Sequence, residues 1–69
     1  MMKKFEIKMF DVNGKRRTLI MHSNDDIDTT FVTVFESLGR AHWLGDAIRH
    51  KAINMANIVE IASIEEVKE

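Results

Sequence analysis

From Lys4 to Met9 polar and apolar positions alternate, with Phe5, Ile7 and Met9 set between Lys4, Glu6 and Lys8, and an Asn13-Gly14 pair separates this run from a second one that ends in Leu19, Ile20 and Met21. Alternation at period two predicts strands over 3–12 and 15–22, and Asn-Gly between them predicts a hairpin closed by a two-residue type I′ turn. With that turn Val12 faces Lys15, Asp11 faces Arg16, Phe10 faces Arg17, Met9 faces Thr18 and Ile7 faces Ile20. Register then sorts the side chains between the two faces. Phe5, Ile7, Met9 and Ile20 form a core face, with Asp11 and Arg16 paired near its wet end and His22 opposite Phe5. The other face holds Lys4, Glu6, Lys8, Phe10, Val12, Lys15, Arg17, Leu19 and Met21, which is more apolar than a face meant only for water.

In SNDDIDTTFVTVFESLG the residues Ile27, Phe31, Val34, Phe35 and Leu38 follow helical spacing, so this segment is expected to lay one apolar stripe on the hairpin. Ser23, Asn24 or Asp25 suits the N-cap, Asp26 and Asp28 suit the positive end of the helix dipole, and Gly39 suits the C′ position. The β-branched Thr29, Thr30, Val32 and Thr33 weaken helix propensity, so packing must supply the rest.

The remainder, RAHWLGDAIRHKAINMANIVEIASIEEVKE, supports two readings. As strands, 42–53 and 58–67 are extended runs punctuated by Asn54 and Asn57, with Ile58, Val59, Ile61 and Ile64 favouring β structure. As a helix from about residue 46, Ile48, Ala52, Met55, Ala56, Val59 and Ala62 form a stripe. The Asn punctuation and the isoleucines favour strands. The expected fold is α+β, in the order ββαββ: an antiparallel sheet with one helix packed on one face, in a single domain over 1–69.

Composition narrows the function classes. A 69-residue chain buries only roughly 60% of the surface its unfolded form exposes, so its core is small. The absence of cysteine removes disulfides and thiolate zinc sites, leaving the core or self-association to stabilise it. MMKKF is followed by alternating charge rather than an apolar run, and no stretch reaches the roughly 18 apolar residues of a membrane span, so a soluble cytoplasmic protein is expected. Residues 1–22 carry six Lys and Arg against two Asp and Glu, net +4, whereas residues 23–69 carry four against nine, net -5. Such asymmetry can reflect a charged partner, but two halves of one fold attracting each other is the preferred reading.

Candidate chemistry is sparse. His22, His42 and His50 lack the HxxxH or HExxH spacing that converges ligands on zinc, and no metal or cofactor is expected. Neither GxSxG nor a glycine-rich phosphate loop is present, and a chain this short has little room for both a core and an enclosed ligand pocket, so enzymatic function is not expected. Trp43, in RAHWLG, reads either as a lid closing the end of the core or as an interface anchor beside Arg40, His42, Arg49, His50 and Lys51.

The leading expectation is a non-enzymatic accessory or protein-protein interaction module, self-associating or binding another protein through Phe10, Lys15, Arg17, Leu19 and Met21 of the outer hairpin face, with Trp43 as anchor. Cover of that face by the C-terminal segment is the competing reading. The alternative function is a nucleic-acid binder using Lys15, Arg16 and Arg17 at the hairpin tip, with Lys3, Lys4 and Lys8 behind them.

Overall fold

A computed structural model describes residues 2–40, 42–46 and 50–68. Strands β1 (Lys3–Asp11) and β2 (Arg16–Ser23) form the expected antiparallel hairpin, but the turn is not type I′. That turn needs positive φ at both central residues, and here Gly14 alone has it, at φ 79°. Gly14 N donates to Asp11 O and Asp11 N donates to Lys15 O, each at 2.9 Å, which makes a three-residue loop: a type I turn followed by a left-handed glycine. The Asp11 side chain favours the longer loop, because its Oδ1 accepts from Asn13 N and Lys15 N, each at 2.9 Å.

The extra loop residue slips the register by one. Phe10 now faces Arg16, Met9 faces Arg17, Ile7 faces Leu19 and Phe5 faces Met21. Because side chains alternate, every residue of β2 changes face relative to the two-residue expectation. Leu19 is fully buried and Met21 packs against the core, while Ile20 takes a place on the outer face. Arg17 moves to the core side beside Asp11, and His22 stands opposite Lys4 rather than Phe5.

The strand reading of the C-terminal half holds, with one subdivision. Its first run splits into β3 (Trp43–Gly45) and β4 (Ala52–Asn54), paired as a short antiparallel ribbon. Residues 47–49 of that run, with Ile48 and Arg49 named above, lie outside the described residues. A 3-10 turn, Met55–Asn57, follows, its start capped by Asn54 Oδ1 accepting from Ala56 N at 3.0 Å. Strand β5 (Ile58–Val67) then pairs antiparallel with β1, giving the order β2-β1-β5. Ile58, Ile61 and Ile64 are spaced by three, which strict alternation would spread over both faces. Register shifts at Lys8/Met9 and Phe10/Asp11 instead set them opposite Asp11, Met9 and Ile7, as bulges that each absorb one residue do.

Helix α1 (Ile27–Gly39) starts at Asp26, whose Oδ1 accepts from Thr29 N at 2.8 Å. The cap therefore lies one residue beyond the expected candidates, Ser23 instead accepting from Asp25 N in the approach. Gly39 stays within the helix and Arg40 is the C-cap, donating its N–H to Glu36 O, so no left-handed glycine ends α1. The helix rests mainly on β5 and the 3-10 turn, because Leu44 and Ile53 of the β3–β4 ribbon pack on the same core. The central core cluster is Ile7, Met9, Leu19, Val34, Met55 and Ile58, and Phe5 is fully buried as well.

Candidate functional site

The expected contact face does not assemble. Leu19 and Met21 lie on the core side, covered by the C-terminal half of the chain. Arg17 Nε donates to Asp11 Oδ2 at 3.2 Å, replacing the expected Asp11–Arg16 pair. Arg16 instead lies over the Phe10 ring, 6.0 Å from its centroid, on the outer face, a cation-π arrangement. Lys15 is exposed at the turn. Lys3 and Lys4 sit at the opposite end of β1, roughly 25 Å away at the rise of an extended strand, so they do not stand behind the tip cations. The outer face mixes Lys4, Lys8 and Arg16 with Glu6, Glu60 and Glu65, and no continuous basic stripe results.

Asp11 organises the tip. It is buried, and its carboxyl is held below the ordinary value of 3.8 by the Lys15 backbone N–H, against the opposing cost of burial, with further help from Asn13 N–H and Arg17. Asp11, Arg17, Trp43, Asn54, Asn57 and Ile58 line a cleft of about 200 Å3, smaller than the 300–1,000 Å3 typical of ligand pockets. Trp43 borders it but is 65% exposed. It is therefore no lid; Leu44 and Ile53 close that end of the core.

Among the described residues no three of His, Asp and Glu stand together as a metal site. Nor is any helix among the described residues long and apolar enough to cross a membrane.

The most conspicuous surface lies on α1. Thr30, Val34 and Leu38, at i, i+4 and i+8, face the core, and the parallel row Ile27, Phe31 and Phe35 does not. Phe31 is 46% exposed and Phe35 58%, and Val32 beside them is half exposed. The two rings stack on each other with centroids 6.1 Å apart and planes 17° from parallel. Meanwhile the buried Thr30 hydroxyl has no hydrogen-bond partner. The expected single stripe is thus two rows, and only Val34 and Leu38 of the five expected residues turn inward. A hint was present in the sequence: positions 27 to 38 carry more apolar residues than one packed face uses.

Compared with protein-family models, curated proteins and solved structures, the chain matches none.

Proposed function

We propose that this chain is a non-enzymatic protein-protein interaction module whose contact surface is the Ile27, Phe31, Val32 and Phe35 face of α1. The observation that carries this reading is the pair of stacked, half-exposed phenylalanines on a regular helix. Burying a phenylalanine stabilises by about 1.5–3 kcal/mol, and the isolated chain forgoes much of that twice. The same helix buries an unpartnered threonine hydroxyl, at a cost of about 1–3 kcal/mol. A helix turned this way gains from a second body over the phenylalanines.

The surface is suited to protein rather than to nucleic acid or anionic lipid, because the charged residues within α1 are Asp28 and Glu36, with no Lys or Arg. The nucleic-acid alternative at the hairpin tip keeps Lys15 and Arg16 but has Arg17 tied to Asp11. A photo-crosslinking residue placed at Phe35 in the source cell tests the proposal, with position 33, on the polar side of the helix, as control. A discrete protein adduct from position 35 and none from position 33 is expected. No adduct, or equal yields from both positions, contradicts the reading.

A further inference from the structure

We infer that the cleft beside Trp43 takes one unpaired base of a single-stranded nucleic acid, stacked on the indole, with Arg17 and Asn54 at the base edge and Lys15 and Lys51 at the adjoining phosphates. This site is separate from α1 and does not rest on the reading of that helix. Ribbon geometry builds the platform. Trp43 faces Asn54, and Gly45 faces Ala52, across β3 and β4. Opposed residues share a face and successive ones alternate, so Leu44 and Ile53 turn to the core while Trp43 shares the other face with Asn54, Gly45 and Ala52. Gly45 and Ala52 are too small to cover an indole. A Cβ at Gly45 would meet nothing within 4 Å, and Trp43 is left 65% exposed.

The same cleft receives polar atoms from Arg17, Asn54 and Asn57. Arg17 is tied to Asp11 through Nε, one of the five N–H donors of a guanidinium, a bond that fixes the group rather than consuming it. Asparagine amides carry a donor and an acceptor side by side, the pattern that reads a base edge. A cleft of about 200 Å3 is small for a free ligand but admits one flat ring carried on a longer chain. The sign of that chain follows from the charges nearby. Asp11 and Arg17 balance each other, and the exposed charged residues next to the cleft in the chain, Lys15 beside the turn and Lys51 before β4, are both positive. Cations around an exposed aromatic ring suit an anionic backbone that carries flat bases, whereas an acidic peptide would use the cations alone.

Trp43 is the only tryptophan, so its fluorescence reads the site directly. Titrating the whole chain with a single-stranded oligonucleotide of about ten residues, in DNA and in RNA form, should quench it saturably, with a dissociation constant on the order of 100 µM, the weak end of sequence-independent binding. Quenching by either form carries the inference, and the tighter of the two names the source. Two phosphate contacts at about 0.7 each give a slope of log affinity against log salt of about -1.4, which Lys15→Glu/Lys51→Glu should flatten. Trp43→Leu should weaken binding about tenfold, the loss of one stacked base, as read by anisotropy of a labelled oligonucleotide, and Trp43→Phe should recover part of it. Circular dichroism of each variant should match wild type.

The absence of saturable quenching up to about 1 mM oligonucleotide at low salt overturns the inference. So does quenching that the complementary duplex or polyglutamate matches, because neither offers an unpaired base. An affinity that Trp43→Leu leaves unchanged also overturns it.

Discussion

Single side chains decide more of this structure than their size suggests. Asp11 satisfies two turn N–H groups and Arg17 at once, and it thereby selects the loop length that puts Leu19 inside. Its carboxyl titrates below the ordinary value of 3.8 because the Lys15 N–H binds the charged form. A depressed aspartate contributes stability that is complete above its unfolded value and lost as pH falls through the folded one. Stability should therefore decline with acid from about pH 4 downward, and Asp11→Asn should both lower stability and flatten that decline in denaturant melts. Asp26, lowered by the Thr29 N–H, adds to the same window, so some slope should persist in the Asp11→Asn variant. Leu19, fully buried, should cost about 2–5 kcal/mol as Leu19→Ala in a urea melt. Thr30→Val removes an unpartnered buried hydroxyl with little change of shape and should raise stability by about 1 kcal/mol.

At the scale of elements, the hairpin, the central helix and the extended C-terminal half were all legible from periodicity and from Asn13-Gly14. What was not legible was which way two of them face. Asn-Gly favours a type I′ turn when read alone, but Asp11 at the first turn position and Gly14 at the fourth equally suit a type I turn with a left-handed residue. The choice between them depends on side-chain hydrogen bonds that spacing does not reveal. Gly14→Ala should thus destabilise by about 1 kcal/mol or more, because φ 79° strains any residue with a Cβ. For the helix, five apolar positions at helical spacing imply a buried stripe, yet the breadth of the covered strip depends on what else shares the sheet face. Here the β3–β4 ribbon and Met55 take that room. The three-residue spacing of Ile58, Ile61 and Ile64 carries the complementary lesson: it departs from strand alternation, and that departure is the trace of the two bulges.

For the whole molecule, a radius of gyration of 11.2 Å matches the roughly 11 Å expected of a chain this long. The exposed phenylalanines are therefore not a symptom of a loose fold; they lie outside a core that is already closed. Of the candidate site, Lys15 stands at the surface as its place beside the turn predicts; Trp43, expected to close the end of the core or to anchor an interface, closes nothing and is exposed; and the single slip in register turns Arg17, Leu19 and Met21 to the opposite face. The helix surface is not legible in the sequence because helical spacing alone places Ile27, Phe31 and Phe35 in the same apolar stripe as Val34 and Leu38. Amide signals of the labelled chain, followed as nuclease-treated extract of the source cell is added, test the claim that α1 is the protein-contact surface. Signals that shift or broaden at Ile27, Asp28, Phe31, Val32, Phe35 and Gly39 while residues 12–17 stay still are expected. Signals that change at the hairpin tip with α1 unchanged, or that change nowhere while position 35 also captures no protein, would contradict it.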